Sequence, residues 1–206
     1  MSKGLIEGKK ARAYANKARS WRRTKVFNDF ILQNIKFGNK VKICDFCCGH
    51  GNTINLLKGK VGEITGVDAS SEMIKICKEK LSGVKLILSS VTNTKLKKSY
   101  FDYVILRNGL HHIKEKEEVL SEIYRILKPK AKLIIIDKFY TNLIMCHLTE
   151  IFDLLFKFNT HYLNHYIVSK EANLSLFKKF KILKEVYTEG QNQKGIQAYM
   201  YVLEKV

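Results

Sequence analysis

The chain predicts an α/β fold, a doubly wound and mostly parallel sheet, and three observations carry that expectation. Short apolar runs alternate with amphipathic helical segments between residues 41 and 136. The first run, 41–46, ends in a glycine-containing loop, Cys47-Cys48-Gly49-His50-Gly51, that opens a helical segment. The last two runs, 181–188 and 197–204, flank Glu189-Gly190-Gln191-Asn192-Gln193-Lys194-Gly195, a connection suited to an antiparallel pair. In such a sheet, ligands bind beyond the carboxyl ends of the parallel strands, near the point where strand order reverses.

Each element has its own warrant. Apolar residues at 14, 18, 21, 26, 27, 30, 31 and 35 keep helical spacing, with a break near Arg23. Strands are expected at 41–46, 63–67, 84–88, 102–106 and 132–136, with helices at 52–58, 71–81 and 115–127. Ser70 and Ser71 offer an N-cap to the second of these helices, and Glu72 suits its positive end. Val119, Leu120, Ile123 and Leu127 share one face of the third. Pro129, the single proline, is expected to end that helix at Leu127. With no glycine in Pro129-Lys130-Ala131, the following turn is expected to avoid positive φ. Beyond Asp137, residues 142–158 and 169–179 read as helices.

A chain of 206 residues with 46% hydrophobic content can bury one sizeable core. It reads as one domain over 1–206, with 1–37 a basic helical segment and 139–180 a helical lid. No apolar run reaches the length of a membrane span, and the start lacks the hydrophobic stretch of a secretory signal. Five cysteines, an odd number clustered near the loop, suit reduced thiols and a cytoplasmic setting. Cys44-x-x-Cys47 has no second ligand pair for zinc, and Cys44 lies inside a strand, so these thiols are expected to pack and shape the loop.

The net charge is +18, and residues 1–42 hold twelve bases against Glu7 and Asp29. Four of the six arginines, Arg12, Arg19, Arg22 and Arg23, fall in that segment. They fit either a polyanion such as nucleic acid or a solvated helix face.

The loop carries the chemistry. Asp68 lies 17 residues beyond Gly51 at a strand end, where an acid can take ribose hydroxyls. A third glycine at Thr53 or Ile54 would favour a dinucleotide, and it is absent. Asp45-Phe46-Cys47-Cys48-Gly49-His50-Gly51 resembles motif I of the class I S-adenosylmethionine-dependent methyltransferases, usually Asp-x-Gly-x-Gly-x-Gly. Phe101 to Ile105 with Leu106 to His112, and Tyr124 to Pro129, resemble two later segments of that family, nearest to the ubiquinone- and menaquinone-biosynthesis and related small-molecule members.

The resemblance covers about residues 41–137 and implies a seven-stranded Rossmann-like sheet that binds S-adenosyl-L-methionine. It implies that Asp45 holds the aminoacyl end and that Gly49 and Gly51 let backbone amides approach. Cys47 takes the first glycine position, where a side chain is expected to demand negative φ. Asp68, followed by Ala69, would accept from both ribose hydroxyls; the alternative is a helix-capping acid. Ser90 and Val91 would meet adenine. His111 and His112 would stand where the strand ends face the acceptor. His112 as proton acceptor and Arg107 as anchor for an anionic oxygen form the expected catalytic pair, with structural histidines as the alternative. The other histidines show no metal-ligand spacing, so no metal is expected. Neither Asn/Asp-Pro-Pro-aromatic nor Pro-Cys occurs, which sets aside two nucleobase-methylating classes.

The expected function is methyl transfer to a small-molecule acceptor, with Phe139, Tyr140, Phe152, Phe156, Phe158, Tyr162 and Tyr166 forming an apolar lid. The rivals are an RNA or protein methyltransferase using the basic helix, and a non-catalytic cofactor-binding subunit.

Overall fold

The computed structural model of the chain describes residues 7–16, 21–140, 170–187 and 196–206. The expected helix at 142–158, Arg19, and the lid aromatics from Phe152 to Tyr166 lie outside the described residues. So do the side chains of Arg22, Arg23, Phe139 and Tyr140.

Two helices, α1 (Gly8–Asn16) and α2 (Trp21–Asn34), precede β1 (Gly38–Phe46). Then follow α3 (Asn52–Leu57), β2 (Val61–Asp68), α4 (Ser71–Lys80), β3 (Lys85–Leu88) and β4 (Phe101–Arg107). A 3-10 turn (Leu110–His112), α5 (Lys116–Ile126) and β5 (Leu127–Tyr140) complete the alternating part. After it come α6 (Lys170–Leu176), β6 (Phe180–Tyr187) and β7 (Ile196–Lys205). The seven strands lie in the order β3-β2-β1-β4-β5-β7-β6. Pairs from β3 to β5 are parallel, and β7 runs antiparallel to both β5 and β6. Order reverses between β1 and β4, so the ligand crevice is expected beyond the ends of those two strands.

Both faces of the sheet are covered, which is why the central strands read as continuous apolar runs rather than alternating ones. Cys44, Phe46, Val104, Leu106, Leu133 and Ile135 face Val119, Leu120 and Ile123 of α5. Ile43, Tyr103, Ile105, Ile134 and Ile136 face Phe27, Phe30 and Ile31 of α2.

The turn before β5 departs from expectation. The helix stops at Ile126, pairing begins at once with Phe101↔Leu127, and the register then shifts before Tyr103↔Lys132. Five residues of β5 must be matched to two steps of β4, and Lys130 absorbs the excess at φ +60. The exposed lysine takes the left-handed conformation at a cost of about 1 kcal/mol, offset by pairing on both sides.

The start of the chain is not a bare solvated helix. Ala11 is fully buried and packs with Met73 and Ile76 of α4, with Tyr14 and Ala15 beside them. Ser70 caps α4, its Oγ accepting from Met73 N at 3.1 Å. Glu7 adds a second cap, accepting from Ser71 N at 3.0 Å and Glu72 N at 3.2 Å. Arg12 pairs with Glu72 at 2.9 Å and Glu79 at 3.2 Å. Three independent contacts therefore fix α1 along α4, whose N-terminus adjoins the ends of β1 and β2.

Candidate active site

Strand β1 delivers Asp45 to its carboxyl end, and the loop that follows turns back through three left-handed residues. Cys47 has φ +55, Gly49 +52 and Gly51 +86. The expectation that cysteine would impose negative φ is thus overturned. Space explains it: the Cys47 side chain fills a position that Gly109 leaves empty, since a Cβ there would stand 2.7 Å from the Cys47 Cβ. Gly51 is required twice over, because a Cβ on it would also meet Cys77 Sγ at 2.6 Å. Gly49 has open space where a Cβ would stand, so backbone rather than crowding dictates glycine there.

Asp68, at the end of β2, ties the loop down. Its Oδ2 accepts from Gly49 N at 2.8 Å and its Oδ1 from Ser70 N at 2.9 Å. Burial raises its pKa, and the amides of Ser70, Gly49 and Ala69 work against that rise. The carboxylate offers about four acceptor sites, so capacity for a hydroxyl remains beside the three amides. The helix-capping alternative fails in its simple form, since Ser70 Oγ holds the cap.

An open cleft of about 410 Å³ lies over this loop, lined by Tyr14, Asp45, Cys47, Gly49 and Arg107 among others. Asp45 is 2% exposed, and its Oδ2 has no hydrogen-bond partner among the described residues. Burial pushes its pKa well up, against the pull of Arg107. A buried acceptor at a cleft wall suits a cationic ligand group. Tyr14 reaches the same rim from α1, edge-on to His50 with ring centres 6.1 Å apart.

Arg107 enters the cleft from β4 and is held by α2. Its Nη1 donates to Asn28 Oδ1 at 2.8 Å, and its guanidinium lies 5.5 Å from the centre of the Phe27 ring. The two histidines separate in role. His111 is buried, and its Nδ1 pairs with Asp137 Oδ1. Asp137 Oδ2 also accepts from Leu110 N at 2.7 Å and His111 N at 3.3 Å, fixing the whole turn. Burial works to raise the Asp137 pKa, but the charge and hydrogen bond of His111 bring it below the usual value. Lys116 adds a buried cation nearby; burial takes its pKa down to about 8. His112 is half-buried, its ring tilted against that of His111 with 4.0 Å between ring centres.

Ser90 and Val91 follow β3, beside Asp68: Ser89 N donates to Asp68 O at 3.0 Å. The Ser90 hydroxyl bonds Thr92 Oγ1 at 2.8 Å, and the Val91 side chain is buried in the core. Asp45, Cys47, Gly49 and Arg107 therefore line the cleft together. Asp68 joins them through the Gly49 amide, and it lies outside the lining residues, as do Gly51, Ala69, Ser90, Val91 and His112. Sequence reasoning missed Tyr14, Asn28, Asp137 and Glu7. Only Tyr14 left a trace, through its helical spacing with Ala11 and Ala15.

Residues 44–135 match a family model described as a methyltransferase domain. Demethylmenaquinone methyltransferase of Staphylococcus aureus (strain MRSA252) is 32% identical over 124 residues, covering 57% of this chain and 52% of that protein. The chain thus spans about half the length of the curated relatives it matches. A solved protein of Pyrococcus horikoshii OT3 superposes with TM-score 0.73 at 22% identity, over 93% of each chain. The geranyl diphosphate C-methyltransferase of Streptomyces coelicolor A3(2), solved with Mg2+, geranyl-S-thiolodiphosphate and S-adenosyl-L-homocysteine, gives 0.73 at 12% identity, over 90% of this chain and 77% of that one. Residues 44–135 thus match the methyltransferase-domain model, and the chain shares the fold of these two solved proteins.

Proposed function

We propose that the protein transfers a methyl group from S-adenosyl-L-methionine to a small-molecule acceptor. The observation that carries this is the buried Asp45 oxygen, facing the cleft beside the loop whose Gly49 amide is held by Asp68. S-adenosyl-L-methionine supplies a methyl group on a sulfonium, ready for in-line attack by a nucleophile. The residues present fit it. Asp45 would take the ammonium, the amides of the loop the aminoacyl end, and Asp68 both ribose hydroxyls. The adenine would lie toward Ser90 and Val91, meeting the Ser90 hydroxyl and the Val91 amide.

On the acceptor side, Arg107 offers a fixed fork of donors for an anionic oxygen. His112 would take the proton as the new bond forms. Holding the acceptor in near-attack geometry supplies most of the rate, so a rigid cleft matters more than a strong base. The relatives named for a menaquinone precursor support an aromatic, quinone-like acceptor. The pairing of Arg12 with Glu72 and Glu79 weighs against a nucleic-acid surface on α1 and for a cover over the loop. A cytoplasmic setting accords with the unbridged thiols.

Titration calorimetry with S-adenosylmethionine and S-adenosylhomocysteine, against NAD as control, tests the cofactor. Asp68→Ala should weaken binding by about ten- to a hundredfold, the value of one or two charge-assisted hydrogen bonds. Unchanged affinity in a folded variant would remove the ribose assignment. Radiolabelled methyl from the cofactor should appear in a demethylated quinol and not in added RNA. Label in RNA alone would favour the polyanion reading.

A further inference from the structure

Asp45 and Arg107 bring opposite charges to one cleft without forming an ion pair. They stand on neighbouring parallel strands. Asp45 is matched to Ile105, and Arg107 lies two residues further along β4, on the same face of the sheet. Strand spacing and rise put their backbones about 8 Å apart, a span that an arginine side chain can cross. Burial raises the Asp45 pKa and the charge of Arg107 pulls against it, so each feels the other. Yet Asp45 Oδ2 is buried with no hydrogen-bond partner among the described residues. A buried carboxylate beside a guanidinium that does not close on it needs a cause, because pairing would give that oxygen its donor.

The cause stands on α2. Asn28 Oδ1 accepts from Arg107 Nη1 at 2.8 Å, and the Phe27 ring centre lies 5.5 Å from the guanidinium. A guanidinium carries donors only, so the amide oxygen of Asn28 must be the atom turned toward it. Phe27 is buried and belongs, with Phe30 and Ile31, to the cluster that packs α2 on Ile43, Ile105 and Ile136. Both contacts are therefore carried by a helix that the core holds in place. Asparagine is a poor residue for a helix interior, since its amide competes with the backbone, so helix formation does not account for Asn28. It does not line the cleft, and its reach into the site is through Arg107.

We propose that Asn28 is a positioning residue that holds Arg107 on α2, keeps the guanidinium off Asp45 and leaves that carboxylate open to a cationic ligand group. That the group is the cofactor ammonium rests on the reading above; the separation of the two charges does not. A carboxylate at the end of β1 and a guanidinium at the end of β4 each keep room for a ligand charge of opposite sign. Without Asn28 the guanidinium can turn inward and pair with Asp45. A cationic ligand must then break that pair before it binds, so what it gains from Asp45 is offset by what the two side chains lose.

The test uses the full chain and titration calorimetry with S-adenosylmethionine and S-adenosylhomocysteine. Asn28→Ala should weaken both by about tenfold or more. Asn28→Leu, similar in size and without an acceptor, is measured beside it so that a packing defect in one variant does not decide the matter. Asn28→Asp keeps an oxygen in place for Arg107 and should bind nearly as the parent does. Arg107→Gln removes the competing charge, so adding Asn28→Ala to it should cost no further affinity, wherever Arg107→Gln alone sets it. Equal losses in both backgrounds, or full affinity in Asn28→Ala, overturn the proposal. A second reading needs no cofactor: the Asp45 carboxyl carbon, followed by NMR, should titrate at lower pH in Asn28→Ala than in the parent, because a paired guanidinium favours the carboxylate. No such shift overturns the separation of charges. Parent protein that binds neither cofactor form, with the shift present, would overturn the cofactor reading and leave the role of Asn28 standing.

Discussion

Cys47 and Gly109 fill one space from two loops: a Cβ built on Gly109 would stand 2.7 Å from the Cys47 Cβ and 2.9 Å from its Sγ. Gly109 itself has φ −117, which any residue adopts. It is glycine because of its neighbour, and Cys47 can stand in a left-handed turn because Gly109 makes room.

Gly109→Ala should therefore destabilise the protein by about 1–3 kcal/mol, the usual cost of overpacking. Cys47→Gly in the same chain should restore most of that, since it removes the clash and relieves a left-handed non-glycine residue. Urea unfolding of both single variants and the double variant measures the coupling. Additive losses would mean the two residues do not share the space.

Cofactor affinity should depend on pH through Asp45. Burial raises its pKa in the free protein well above the ordinary carboxylate value. A bound ammonium favours the carboxylate, so binding releases a proton and tightens as pH rises through the Asp45 titration. Above it the dependence should level off. Asp45→Asn should bind more weakly and lose this slope, as calorimetry at a series of pH values would reveal. A parent protein with pH-independent affinity would place the ammonium elsewhere.

His111 and His112 should respond differently to loss. Removing the Asp137 side chain takes the acceptor from the buried His111 contact and from the amides of Leu110, His111 and Lys138, and Asp137→Ala should cost about 3–5 kcal/mol in stability. His112→Ala should leave the unfolding midpoint nearly unchanged. It should lower turnover by roughly a hundredfold with little change in cofactor affinity, the scale of a lost general base. Full activity with a lowered melting temperature would make His112 structural.

Acid should loosen the segment after β3 through Glu122. This carboxylate accepts from Thr94 N at 2.9 Å and from Arg125 Nε at 2.7 Å, while Arg125 Nη2 donates to Leu96 O at 2.7 Å. The hydrogen bond from Arg125 leads the causes that take its pKa down to about 2 from 4.5. A depressed folded-state pKa gives stability that is fully present above about 4.5 and is lost as pH falls toward about 2. Glu122→Gln should cost about 2 kcal/mol near neutrality and flatten the acid limb of the stability curve. An unchanged acid limb would show that other carboxylates dominate it.

The sequence by itself determined the alternating elements, because burial on both sheet faces writes long apolar runs into β1, β4 and β5 whatever their neighbours are. It also determined where the loop and Asp68 fall, because both lie along one βαβ unit, at the ends of β1 and β2. Those are local constraints, and local constraints leave marks at short range. Tertiary structure alone decided that Cys47 and Lys130 could take positive φ, since the first depends on the missing side chain at 109 and the second on a register shift against β4. It alone separated His111 from His112, through an acid 26 positions away on another strand. It alone packed the basic start of the chain on α4, through Glu7, Ala11 and Arg12. Contacts between distant segments arise from how layers stack, and no spacing within one segment records them.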